Sequence, residues 1–269
     1  MTHDERKIME TLSLERAEGI ATVTLARPPV NAVSRLMMRE LTEVFSALSD
    51  DREVGAIVLG AEGDRAFCGG IDLNEMAGRG TPDFDAPLKS TTNPGWEWRH
   101  TQHVIRHCAV PVIAAVERPA IGAGFGLVGV SDIIIASTTA TFGLTEINVG
   151  LLGGASKAIR MLGPFKARTM MYTGRIQSAH ELHRLGAIEE LVDAGHAVET
   201  AQSLAREIAG KSPLAIRLAK ESINRIEGDV MEQQYRTEWD YTNRLRGFSD
   251  SAEAMESYVQ KREPKWTWS

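Results

Sequence analysis

Two short apolar runs, Val112 to Val116 and Ile133 to Ile135, are continuous rather than alternating, as strands buried on both faces are. Gly55 to Gly60 (GAIVLG) has the same character. Nearer the amino end the pattern changes: Ala21, Val23 and Leu25 alternate with Thr22 and Thr24, and Glu10 to Arg16 precedes them across Glu18-Gly19. Alternation on either side of a tight turn predicts a hairpin. Pro28 and Pro29 end it, and beyond Ser34, an N-cap residue type, Leu36, Met37, Leu41, Val44, Phe45 and Leu48 form a stripe of helical period. Helical spacing recurs at Trp96 to Cys108, Ala155 to Leu162, Phe165 to Tyr172, Ser178 to Leu185, Ala197 to Ala209 and Leu214 to Ile226, and on to Lys261, with one strand at Ile188 to Val192. Gly78 to Pro94 is rich in Gly, Pro, Asp and Thr and has no apolar period, which reads as a mobile loop near a ligand.

Between the first two runs lies Gly122-Ala123-Gly124-Phe125-Gly126, leading into Leu127-Val128-Gly129-Val130. The order is strand, tight turn, helix, strand. Such a turn leaves N–H groups of a helix N-terminus unpaired, and small residues let a ligand approach the main chain. The same order occurs at Ile57 to Met76, around Cys68-Gly69-Gly70-Ile71-Asp72, so two turns can each offer an N–H to one anionic oxygen. Glu146 follows in Phe142-Gly143-Leu144-Thr145-Glu146-Ile147, a carboxylate among apolar residues. Burial there favours its protonated form and suits it to proton transfer.

Charge narrows the partners: 30 basic against 36 acidic residues give a net charge of -6, which predicts no attraction to nucleic acid or anionic lipid by the chain as a whole. Cys68 and Cys108 are the only cysteines, too few for a disulfide framework and in keeping with a reducing cytoplasm. The amino end MTHDERKIME is charged where a signal peptide is apolar, and no run approaches the ~18 apolar residues of a membrane span. The expectation is a cytoplasmic protein with no membrane or nucleic-acid partner.

Ala66 to Met76, with Pro111 to Val116 and Phe142 to Gly150, resembles the crotonase (enoyl-CoA hydratase/isomerase) superfamily. The likeness continues through Ser178-Ala179-His180-Glu181-Leu182 and Gly186-Ala187-Ile188 to Ala219-Lys220-Glu221-Ser222. It implies an α/β fold, a crotonase-like ββα spiral over residues 1–195, followed by a helical C-terminal trimerisation module over 196–269. It also implies an acyl-CoA substrate, no cofactor beyond the CoA that the substrate carries, and a homotrimer or dimer of trimers. Carried over position by position, Ile71 and Ala123 supply the oxyanion-hole N–H groups, and Cys68, Gly69, Gly70, Asp72, Gly122 and Gly126 line the substrate. Hydratases of this superfamily use two glutamates; here Gly126 stands at the first position and Glu146 at the second. One glutamate can shuttle a proton between carbons, so isomerisation is the preferred reaction. The alternatives are a ring-opening carbon–carbon hydrolase, a subgroup that Gly126-Leu127-Val128-Gly129 resembles, and a non-catalytic acyl-CoA-binding homologue.

Other departures are Arg118 for a turn glycine, Thr145 for a proline, Gly153-Gly154-Ala155-Ser156-Lys157 for a proline-glycine turn, and no basic residue beside Asn31. Arg27 and Arg65 are candidates for the CoA phosphates. The glycines at 122 to 126 lack G-x-G-x-x-G spacing, which argues against NAD. His100, His103 and His107 share a helix face beside Cys108, but without an acidic partner they read as part of a loop helix, and no metal is expected. Trp96 and Trp98 are candidates to cover the acyl pocket, and Trp266 and Trp268 to anchor the tail.

Overall fold

The computed structural model describes residues 5–73, 75, 88–93, 95–228 and 231–269. The chain begins with β1 (Glu5–Ile8), β2 (Leu12–Ala17) and β3 (Ile20–Leu25), joined antiparallel. Glu18 and Gly19 both take positive φ, 52° and 76°, the handedness that lets a two-residue turn follow the twist of its strands. The strand β1 has no counterpart in the apolar pattern; it pairs with β2 through its backbone. The sheet then runs parallel through β4 (Ala56–Ala61), β5 (Val112–Val116), β7 (Ile133–Ser137) and β10 (Glu190–Val192), in the order β1-β2-β3-β4-β5-β7-β10. A second sheet joins β6 (Ala120–Ile121), β8 (Thr141–Gly143) and β9 (Gln177–Ser178) in the order β6-β8-β9.

The continuous apolar strands have both faces covered. Leu59, Ile57, Val112 and Ala114 join a core with helix Arg35–Asp50 and helix Ala123–Val130, while Ala56, Val58, Ile113 and Ala115 meet Ala197, Ala201 and Ala205. Those three alanines recur every fourth residue, a stripe without bulk that lets helix Ala197–Ala209 lie close on the sheet. Helix Arg35–Asp50 starts where Ser34 accepts a hydrogen bond from the Met37 N–H at 3.1 Å. Its buried stripe is Met37, Met38, Leu41, Val44, Phe45 and Leu48, so Met38 takes the inward place expected for Leu36.

The stretch expected as a loop contains a short helix, Leu88–Thr92; residues 76–87 lie outside the described residues. The segments on either side of Gly163 form one helix, Ala155–Thr173, broken where Gly163 takes φ 71°, ψ 169° ahead of Pro164. Helices Pro213–Ile226, Met231–Leu245 and Ser249–Gln260 complete the chain. Among the described residues no helix is long and apolar enough to cross a membrane.

Candidate active site

Three parallel segments meet in one register. Ala120 of β6 pairs with Phe142 of β8, and Cys68 bridges Ala120 in parallel. The amide of Ile121 donates to the Cys68 carbonyl at 2.9 Å, and that of Gly122 donates to Gly143 at 2.8 Å. Three residues beyond Cys68, Ala120 and Phe142 stand Ile71, Ala123 and Thr145, with Glu146 next. Residues far apart in sequence are thus delivered side by side. Gly124 is what permits it: a Cβ there would lie 2.3 Å from the Cys68 carbonyl oxygen. No side chain fits such a gap.

The N–H groups of Ile71 and Ala123 donate to no acceptor among the described residues. Ile71 bridges Val33, but the bonds of that bridge use its neighbours: Val33 donates to the Gly70 carbonyl at 2.8 Å and Asp72 donates to Val33 at 3.0 Å. Ala123 opens helix Ala123–Val130, where an N–H has no intrahelical acceptor. Gly70 and Gly122 have φ of 120° and 56°, backbone that a larger residue adopts only under strain.

Glu146 begins a single 3-10 turn, Glu146–Val149. Its Oε1 lies 3.2 Å from the place a Cβ on Gly122 would take and 3.6 Å from that on Gly153. The residue is half-buried overall, yet Oε2 is out of solvent and has no hydrogen-bond partner. Desolvation raises its pKa to about 7, and the charge of Glu238 adds to the rise.

Ile71, Ala123 and Glu146 border one cavity of about 440 Å³, together with Gly69, Gly70, Gly122 and Gly126. Cys68 and Asp72, expected beside the substrate, do not border it. Cys68 is sealed under Gly124, where burial pushes its thiol up to about 12, and Asp72 is held by Arg27 at 2.6 Å. That pairing also occupies Arg27, a CoA candidate; Arg65 is exposed. Trp98 borders the cavity, whereas Trp96 stacks on His100 with ring centroids 4.6 Å apart. His103 and His107 stack on each other at 4.0 Å, and among the described residues no three His, Cys, Asp or Glu are grouped to hold a metal ion.

Gly126 borders the cavity with Trp98 packed close against it. A Cβ on Gly126 would stand 3.3 Å from Trp98 Cζ2 and 3.7 Å from Gln102 Oε1. Gln102, Lys157 and Glu238 also border the cavity and were not singled out from the sequence as site residues. The signal for Lys157 is a basic residue inside a buried stripe with Ser156, Ala158 and Leu162. Glu238 accepts from the N–H groups of Gly154 at 2.9 Å and Ser156 at 2.6 Å, so it caps the helix that carries Lys157.

Two unpaired amides beside a buried carboxyl, on a fold of strand-turn-helix units, agree with the resemblance in the sequence, and residues 15–268 match the family described as enoyl-CoA hydratase/isomerase. The chain belongs to this family and has the crotonase fold. It is 35% identical over 243 residues, 90% of its length and 96% of the relative's, to the (7aS)-7a-methyl-1,5-dioxo-2,3,5,6,7,7a-hexahydro-1H-indene-carboxyl-CoA hydrolase of Mycobacterium tuberculosis. It is 36% identical over 261 residues, 96% of its length and 98% of the relative's, to a probable enoyl-CoA hydratase of Rhizobium meliloti. The carnitinyl-CoA hydratase of Mycobacterium avium superposes with a TM-score of 0.83 at 28% identity, over 97% of this chain and 99% of that one.

Proposed function

We propose that the protein acts on an acyl-CoA thioester through its enolate, with the N–H groups of Ile71 and Ala123 holding the thioester oxygen and Glu146 carrying the proton. The observation behind this reading is the Glu146 carboxyl itself: Oε2 is buried and unpartnered, its pKa is raised to about 7, and Oε1 adjoins Gly122, the residue before Ala123. A base tuned to the working pH transfers protons efficiently in both directions. Two backbone amides held without an acceptor at the cavity wall would need little reorganisation to receive the developing charge.

Isomerisation is the reaction a lone carboxylate completes. Glu146 takes a proton from C2 of a 3-enoyl-CoA, the electron pair delocalises into the thioester, and the proton returns at C4, leaving the double bond between C2 and C3. Water is not consumed. The other described carboxylates bordering the cavity are engaged: Glu238 by two backbone N–H groups, and Glu97 with Arg35 at 3.9 Å and Arg39 at 3.7 Å.

Likeness to a bicyclic acyl-CoA hydrolase favours a second reading. There Glu146 would deprotonate water, hydroxide would add to a ring ketone, and the broken carbon–carbon bond would leave its electrons on the thioester α-carbon. Glu146 would then protonate that carbon, giving an opened chain with a new carboxylate.

One experiment separates these. A 3-enoyl-CoA, a cyclic β-ketoacyl-CoA and crotonyl-CoA are incubated in deuterium oxide with wild type and Glu146→Gln. The expected result is migration of the double bond with deuterium entering at C4 of the product, and deuterium at the α-carbon of unreacted 3-enoyl ester, both lost in the variant. Ring opening without migration selects the second reading. Hydration of crotonyl-CoA on the order of 10 per second or faster refutes a lone carboxylate, and absence of any exchange makes the chain a binder.

We also propose a homotrimer or dimer of trimers. Leu214, Leu218 and Ile226 of helix Pro213–Ile226 are exposed, as are Phe165 and Tyr172, an apolar surface of the kind that subunits cover. Light scattering at micromolar protein should give three or six chains; a fully active monomer overturns this.

A further inference from the structure

The cavity that holds Glu146 adjoins a smaller one of about 20 Å³, and Gln102, Lys157 and Tyr235 border both. Lys157 is 1% exposed. Its stem passes Gly129, where a Cβ would lie 2.6 Å from the Lys157 Cβ, and its Nζ sits 4.1 Å above the Tyr235 ring. Gly129 is seven residues beyond Gly122, where Glu146 sits. At about 1.5 Å of helix rise per residue, the two are roughly 10 Å apart along the helix. The stem of Lys157 therefore starts about 10 Å from the Glu146 carboxyl along this helix, and its ammonium turns to the Tyr235 ring.

Lys157 at that second end lacks a carboxylate of its own. Lys157 forms no ion pair with a described carboxylate; Glu238, whose field acts on it, already accepts from Gly154 and Ser156. Arg106, 4% exposed, borders the small cavity, and its Nη1 has no hydrogen-bond partner. Glu227, the acid that pairs with Arg106, is shared with Arg160. Burial lowers the pKa of Lys157 to about 8, which still leaves most of it charged at neutral pH. A buried cation with incomplete compensation is costly, and an apolar acyl chain shut in beside it would worsen the cost. The ring of Tyr235 offsets part of it, as cation–π contacts do. Gln102 Oε1, an unpartnered acceptor, does not welcome an anion, but it stands near Gly126, one helical turn closer to Glu146.

We propose that the acyl group of the substrate carries a carboxylate, received by Lys157 at the end of the cavity remote from Glu146. The inference rests on reading this cavity as an acyl-CoA site, and adds the class of acyl group. The ammonium of this buried residue would donate hydrogen bonds to the carboxylate, and charge-assisted bonds of that kind are strong.

The test is binding by calorimetry of succinyl-, glutaryl-, adipyl- and pimeloyl-CoA, each against the methyl-ended acyl-CoA of equal length. At the best length wild type should prefer the carboxylated ester by about tenfold or more, the scale of a hydrogen bond to a charged group. Lys157→Met keeps the stem and removes the charge, and should bring that ratio to one or below. The wild-type ratio stands as a test even where the variant does not fold. Equal affinity in wild type at every length overturns the inference, as does a preference that Lys157→Met leaves intact. Failure of both ester series to bind would instead refute the acyl-CoA reading of the site.

Discussion

The two ends of the cavity are built from different materials. At the Glu146 end the groups that meet a ligand are main-chain N–H groups and one carboxyl, brought together because Gly122 and Gly124 leave room. At the other end they are side chains, Trp98, Gln102, Lys157 and Tyr235, drawn from three helices. Backbone groups are present in every residue, so the first end depends on register and on the absence of side chains. The second depends on which side chains are there. Chemistry that recurs across a family suits the first kind of end, and selection among substrates suits the second.

Substitution of Glu146 should have the largest effect. Glu146→Gln keeps shape and removes the ionisable group, so exchange at the α-carbon should fall by about 10³-fold or more while ester binding stays within a few fold. Deuterium incorporation followed by mass spectrometry measures it; exchange near the wild-type rate would remove Glu146 from the mechanism.

Gly124→Ala attacks the same end without touching a reacting group. The added methyl group would meet the Cys68 carbonyl at 2.3 Å, so the two turns must separate. A fall in kcat/KM of about 10²-fold, the scale of one lost oxyanion donor, should accompany a stability loss of about 1–3 kcal/mol from overpacking. Wild-type kinetics in this variant would show that the turns tolerate separation.

The pH profile follows from the direction of the Glu146 pKa. As a base it must be ionised, so kcat/KM should drop about tenfold per pH unit below about 7 and level off above. Stability moves the other way. The folded carboxyl keeps its proton up to about 7, against an ordinary value of 4.5, so its contribution is full below 4.5 and is lost as pH rises to about 7. Glu146→Gln should be near neutral in chemical denaturation at pH 4, and stabilising by up to roughly 3 kcal/mol at pH 8. A variant equally stable at both pH values would argue that the carboxyl is not buried.

The mildest probe lies where the two ends meet. Gly126→Glu puts a glutamate where the resemblance to hydratases implies one, but with Trp98 Cζ2 3.3 Å from its Cβ the new side chain should be misplaced. Little or no crotonyl-CoA hydration is expected until Trp98 is also reduced to alanine. Brisk hydration in the single variant would mean that Trp98 yields easily and does not guard the position.

Legibility divides along the same line. The turns around Ile71 and Ala123 and the carboxylate at Glu146 could be found because glycines at short spacing and an acid in an apolar run are local signals. The pairing of Asp72 with Arg27 could not be read, since the two are 45 residues apart and nothing local announces it. Lys157 carried a faint signal, but its surroundings come from Gly129, Tyr235 and Glu238, three separate parts of the chain.

By itself the sequence determined β4, β5 and β7, since a continuous apolar run tolerates no exposed face. It also determined the longer helices, through apolar period and the Ser34 cap, and the turns, because few residues other than glycine take positive φ. Only the tertiary structure decided that Cys68, Ala120 and Phe142 share a register, that Trp98 packs against Gly126, and that a lysine lies buried beside the cavity. The reason is physical: backbone preference acts over a few residues, whereas desolvation and charge depend on whatever the folded chain brings within a few ångströms.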